Sequence, residues 1–159
     1  MSKDNRWNSS HPYWGDLHCH CGISYGHGTL EYALTEAREH LDFCSITGHA
    51  GWPDMPADRE RYGRVIDYHT AGFARLRSTW PEIVEEVNGY NREGSFVTFS
   101  SFEWHSLQYG DYNLYFPGDC APLVEASNIE ELHGICDRYD ALAIPHHPGY
   151  PQGLRGVNW

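Results

Sequence analysis

Residues 14–21 and residues 41–47 (LDFCSIT) both read as short strands, and the segment between them carries helical spacing. Two strands joined through a helix cannot be hairpin neighbours, so the crossover makes them parallel. This βαβ unit constrains the fold more than any other feature, because it selects a parallel α/β sheet or barrel. Thr29 is a suitable N-cap for the intervening helix, and Leu30, Ala33, Leu34 and Ala37 fall on one of its faces.

The rest of the chain continues the alternation. Gly51, Pro53 and Pro56 mark residues 50–57 as a loop, and Asp58 can cap a long helix whose stripe is Tyr62, Val65, Ile66, Phe73 and Leu76. Thr79-Trp80-Pro81-Glu82 is a capping-box pattern with proline in the first turn, predicting a further helix to about residue 87. Residues 96–102 (FVTFSSF) and 111–116 (DYNLYF) read as strands. Ser127-Asn128-Ile129-Glu130 repeats the capping-box signal before a helix with Ile129, Leu132, Ile135 and Cys136 on one face, and 141–145 (ALAIP) is a last buried strand. The expected order is β-α-β-α-α-β-β-α-β, with about five strands in one domain spanning residues 1–159.

Charge excludes some partners. Eleven Lys and Arg against 22 Asp and Glu give a net charge of −11, which argues against a nucleic-acid backbone as the main partner. No apolar run is long enough to span a bilayer and the N-terminus has no signal-peptide pattern, so a cytoplasmic location is expected. The 5 cysteines are odd in number and lack a second CxC or CxxC to pair with Cys19 and Cys21, which fits free thiols in a reducing compartment. Histidine is the outlier, with 11 copies.

His18-Cys19-His20 is the sharpest local feature. Alternate strand residues face the same way with Cα atoms about 6.6 Å apart, so both imidazoles can approach one ion or two adjacent ions. An isolated HxH also fits a solvated strand face. Asp16 lies two residues earlier on the same side and is a candidate to accept the second N–H of a ligating histidine. His49 follows one apolar strand, Glu103 ends a second and His146 follows a third, so potential ligands gather at strand ends, where parallel α/β folds place their active sites. A glutamate ending an apolar strand is costly to bury without a partner. His11, His40, His69 and His133 are expected at the surface or half-buried, whereas His105 and His147 neighbour stronger candidates.

Gly15-Asp16-Leu17-His18-Cys19-His20, the helix after it, Thr47-Gly48-His49, Ser101-Phe102-Glu103-Trp104 and Ile144-Pro145-His146-His147-Pro148 together resemble the PHP (polymerase and histidinol phosphatase) family over its N-terminal two-thirds. The family's closing Asp-x-His motif has no counterpart here, and Thr47-Gly48-His49 stands where the family carries Thr-Asp-His. The resemblance implies an incomplete distorted β/α (TIM-like) barrel and two or three divalent ions, zinc, manganese or iron. It implies His18, His20, His49, Glu103 and His146 as ligands, with Glu103 bridging. His27 is the nearest stand-in for a further ligand that the family supplies from the loop after HxH.

The activity expected is metal-assisted hydrolysis of phosphate esters, with Arg155 and His147 as candidates to meet a small anionic substrate. Two rivals are an amidohydrolase-type C–N hydrolase and a non-catalytic metal-binding half-barrel. Lys3 is the only lysine, which excludes the lysine-bridged form of the first rival. A sheet of so few strands leaves an open edge, for which a second copy or another chain is the expected cover.

Overall fold

The structure is a computed structural model and describes residues 10–151. Seven strands and four helices occur among the described residues: β1 (Gly15–Cys19), α1 (Leu30–His40), β2 (Phe43–Ile46), β3 (Gly48–Gly51), α2 (Arg59–Ser78), α3 (Trp80–Tyr90), β4 (Val97–Thr98), β5 (Ser100–Trp104), β6 (Asp111–Phe116), α4 (Ile129–Tyr139) and β7 (Leu142–His146). Hydrogen bonding groups the strands into two sheets, ordered β1-β2-β4 and β3-β5-β6-β7.

The two sheets are joined by strands that pass from one to the other. Only Thr47 separates β2 from β3, and only Phe99 separates β4 from β5. Cys44 opposes Thr98 before the break and Gly48 opposes Phe102 after it, so one parallel register survives across the interruption. Side chains span the gap that backbone bonds leave. Ser45 Oγ donates to the Phe99 carbonyl at 2.9 Å and lies within hydrogen-bond reach of Ser101 Oγ, which in turn donates to the Ile46 carbonyl at 3.2 Å. Buried hydroxyls need such partners.

This explains why seven strands appear where about five are expected. Residues 41–47 and 96–102 each belong to a longer path that is broken in the middle, and β3 takes the start of the expected 50–57 loop. Polarity differs too. β6 is antiparallel to both β5 and β7, while the remaining pairings are parallel, so β6 alone runs against the others. No closed barrel forms among the described residues; β1 and β7 are the outer strands of their sheets. Side chains link the two sheets here instead: Tyr115 of β6 donates its hydroxyl to the Leu17 carbonyl of β1 at 2.8 Å, and the rings of His18 in β1 and His146 in β7 lie 4.3 Å apart.

Helix starts follow the expected chemistry with two shifts. Thr29 accepts the Tyr32 N–H and Asp58 accepts the Arg61 N–H. At α3, which extends to Tyr90, Thr79 makes no side-chain cap; its hydroxyl donates back to the Arg75 carbonyl. At α4 the reciprocal pair sits one residue later than expected: Asn128 Oδ1 accepts the Glu131 N–H and Glu131 Oε2 accepts the Ser127 N–H. The helices bury Leu34, Leu76, Ile83, Val87 and Leu132 against Phe96, Phe102, Leu114 and Phe116 of the strands and their approach. Trp80 and Trp104 donate their indole N–H groups to the Ala121 and Ala126 carbonyls, tying the segment before α4 to the core. No described helix is long and apolar enough to cross a membrane.

Removing either bridging hydroxyl should cost about 1–2 kcal/mol, because each leaves a buried group unpaired. Urea unfolding of Ser45→Ala, Ser101→Ala and the double variant tests this. The double variant should lose less than the sum of the singles, since both hydroxyls serve one bridge. Additive losses would show that they act separately.

Candidate metal centre

Glu103 is the penultimate residue of β5 and has 1% of its surface exposed, a position where an ionised carboxylate needs compensation. The parallel register places His49 of β3 directly beside it. Because β6 runs the other way, its first residue, Asp111, arrives at the same end as the last residue of β7, His146, and the two are paired in the ladder. Topology alone therefore brings four potential ligands from four strands to one place.

The side chains converge on the two Glu103 oxygens. His146 Nε2 lies 2.8 Å from Oε1. His49 Nδ1 lies 3.1 Å from Oε2, and His18 Nε2 and His20 Nε2 each lie 3.5 Å from it. The His18 and His20 Nε2 atoms are 3.0 Å apart, so the HxH imidazoles do share a face. Cys19 between them points away, with its thiol 3.9 Å from that of Cys44. All five cysteines are free, as expected.

Despite these approaches, Glu103 Oε2 makes no hydrogen bond, and Asp111 Oδ2 and His146 Nδ1 are also buried without one. Three nitrogens crowd around a carboxylate oxygen without donating to it. Ligands about 2.0–2.1 Å from a tetrahedral ion are about 3.3 Å from one another, close to the spacings seen here. The donor set, mixed imidazole nitrogen and carboxylate oxygen, suits a divalent transition ion. Three groups of described residues have ligand atoms close enough to hold one: His18, His20 and Glu103; His49, Glu103 and His105; and Glu103, Asp111, His146 and His147.

Protonation favours the same role. Burial pushes the His49 pKa down to about 2, against the pull of Glu103 and with help from His105, His20 and His69. Burial also lowers His20, again opposed by Glu103. For Glu103 burial acts upward, but the approach of His146 and His18 and the field of His105 and His49 outweigh it and hold the carboxyl well below its ordinary range. Neutral imidazoles around an ionised carboxylate are ready ligands.

Of the residues expected from the sequence, His18, His20, His49, Glu103 and His146 come together, and His147 joins them. His147 has a φ of 57°, and this left-handed turn lets two consecutive side chains face one site, which an extended strand forbids. His27 does not join: it is exposed in the loop before α1 and belongs to none of the ligand groups. Asp16 is exposed and accepts the backbone N–H of His18 at 2.9 Å, so it steadies the strand rather than an imidazole. Arg155 lies outside the described residues. Gly48, beside His49, is given over to packing, since a Cβ there would come 2.7 Å from Leu76 Cδ1 of α2.

Two further residues stand at the site: His105, which the sequence marks only as the neighbour of a stronger candidate, and Asp111, which it does not mark. His105 stands two residues after Glu103, the same spacing as in HxH, so period-two alternation puts both on one face; that signal was available. Asp111 depends on the antiparallel pairing of β6, which has no local signature. His69, expected at the surface or half-buried, is 7% exposed; it lies near the rings of Tyr25, Trp52, Phe73 and His105. Phe102 and Trp104, which alternate with Glu103 along the strand, line a separate cleft of about 450 Å³ with Trp52, Phe73, Arg77 and Glu125; it contains none of the clustered ligands. Compared with protein-family models and with curated proteins, the sequence matches none.

The metal-free protein should weaken on acidification. The unfolded chain binds a proton at His49 near pH 6.5, its ordinary value, whereas the folded chain does so only near pH 2, so stability is full above that window and falls within it. The loss should approach roughly 1 kcal/mol per pH unit between pH 6 and 4, with Glu103 adding to it below about pH 4.5. Thermal unfolding in the presence of chelator checks this. His49→Asn should flatten the profile; an unchanged slope would contradict the assignment.

Proposed function

We propose that this chain is a metal-dependent hydrolase of phosphate esters, built on the N-terminal portion of a PHP-type distorted β/α barrel. The observation that carries this is the buried Glu103 carboxylate, whose Oε2 faces three imidazole nitrogens and bonds to none of them. The motif order supports the family reading, and the side-chain contacts between β1 and the β6–β7 pair are consistent with a sheet curling toward closure.

Divalent ions of zinc, manganese or iron held by these residues would supply Lewis-acid activation of water and stabilisation of developing negative charge. The chain's own contribution is positional. His146 fixes the Glu103 carboxylate through Oε1, which keeps Oε2 turned toward His18, His20 and His49. His18 and His20 retain 30% and 33% side-chain exposure, against 2% for Glu103, so the cluster opens to solvent on their side. A small anionic substrate arrives there, flanked by His147, whose ring lies 6.1 Å from that of His18. Arg155 is the further cation proposed to meet it.

Release of nitrophenol from an aryl phosphate tests the reading. Turnover should vanish with a chelator and return on adding zinc or manganese. Glu103→Gln should reduce it by on the order of 100-fold or more, as loss of a charge-stabilising group at a reaction centre does, while the exposed His133→Ala should not. Turnover indifferent to both chelation and Glu103 would refute the assignment, and cleavage of amide rather than phosphate substrates would favour the C–N hydrolase.

A further inference from the structure

We propose that Cys19 and Cys44 form an oxidative modification site: hydrogen peroxide joins the two thiols as a disulfide, and the joining loosens the hold of His18 and His20 on a metal ion. The effect on the ion rests on the metal-binding reading of the cluster; the thiol chemistry does not.

The sheet brings the two thiols together. Cys19 lies between His18 and His20, and its side chain leaves on the face opposite the imidazoles. Pairing with β2 is irregular there: Asp16 opposes Cys44, yet Cys19 opposes Ile46, so three steps along β1 match two along β2. An extra residue in one strand is a bulge, which bends the strand and re-aims its side chains. The Cys19 thiol thereby reaches back to 3.9 Å from Cys44 Sγ, and the Cys44 thiol donates to it. Two sulfurs at that distance are in contact.

The other thiols are placed differently. Cys120 is exposed beyond β6, and Cys136 is half-buried on α4. Cys21 is 1% exposed and shares the core cluster with Cys44, which makes it the one rival to Cys19.

Cys19 is half-buried and Cys44 is 1% exposed, so an oxidant meets Cys19 first. The Cys19 sulfur attacks one peroxide oxygen, the O–O bond breaks, and water leaves with the thiol proton, giving a sulfenic acid. Cys44 Sγ then attacks the Cys19 sulfur, the S–O bond breaks, and a second water leaves with the Cys44 proton. The pair gives up two electrons, and the peroxide is reduced to two waters.

Closing the bond takes the sulfurs from 3.9 Å to about 2.0 Å, and the sheet decides which strand gives. β2 lies between β1 and β4, and its residues 44–46 are buried. β1 pairs with β2 alone, begins exposed and already carries the bulge, so the movement falls on β1. Flanking Cys19 are the imidazoles whose Nε2 atoms lie 3.0 Å from each other and 3.5 Å from Glu103 Oε2. Metal coordination tolerates about 0.2 Å of ligand displacement, well below a movement of this size.

Peptide mass analysis of the full chain before and after hydrogen peroxide tests the site. Trypsin leaves Cys19 and Cys21 in one peptide, residues 7–38, and Cys44 in another, residues 39–59. Peroxide should join these two peptides, and dithiothreitol should separate them. Cys21→Ser should still show the join, whereas Cys19→Ser and Cys44→Ser should not. Zinc binding by calorimetry reads the consequence. Oxidised wild type should bind on the order of 10-fold more weakly than reduced and recover with dithiothreitol, while Cys44→Ser should not respond to peroxide. The wild-type peptides decide the site even where a variant fails to fold. Peptides that stay separate while Cys120 is oxidised would overturn it, as would a join lost in Cys21→Ser and kept in Cys19→Ser. Joined peptides with unchanged zinc affinity would overturn the coupling. A reduced chain that binds no zinc would end the metal reading and the coupling, while joined peptides would still establish the modification site.

Discussion

An ionised carboxylate at the centre of a sheet is tolerable only if its surroundings supply what water no longer does, and in this protein that surrounding is a ring of imidazoles. Glu103 has its Oε1 fixed by His146 and its Oε2 within 3.1–3.5 Å of His18, His20 and His49, yet Oε2 accepts no hydrogen bond. Burial keeps His49 and His20 neutral, so the ring does not simply balance the charge as a set of cations would. Carboxylate and lone pairs together leave a deficit of positive charge that a divalent cation held by these residues would offset.

The fold is arranged to make that convergence happen. A parallel register maintained through the breaks at Thr47 and Phe99 sets His49 against Glu103. The breaks divide one strand path into two sheets, and Ser45 and Ser101 carry the connection where the backbone ladder lapses. Reversal of β6 then delivers Asp111 to the end where the other strands finish. Apolar packing by Phe102 and Trp104 on the opposite face holds the strand whose inner face carries the charge.

Much of this is legible in the sequence, for reasons that are local. The HxH pair, Glu103 and His146 stand out because polar residues at the ends of apolar strands violate the usual pattern, and helix starts at Thr29 and Asp58 follow from capping chemistry. What escapes is non-local. Nothing near Asp111 announces that β6 is antiparallel, and nothing near Thr47 announces that a strand will change sheets. His147 reaches the site only through a backbone turn at φ 57°, a conformation that its residue type does not require. Asp16, which by alternation belongs on the HxH face, is exposed and bound to the His18 backbone instead. Tyr25 is placed by a packing vacancy at Gly72, 47 positions along the chain in a different element, which no spacing rule could connect to it.

The most direct measurement is X-ray absorption at the zinc edge of the full chain reconstituted with zinc. A centre built on Glu103 should show nitrogen and oxygen neighbours at about 2.0–2.1 Å, with the outer-shell scattering of several imidazoles and no sulfur. Failure to take up zinc, or a first shell containing sulfur from Cys19 or Cys44, would contradict the account.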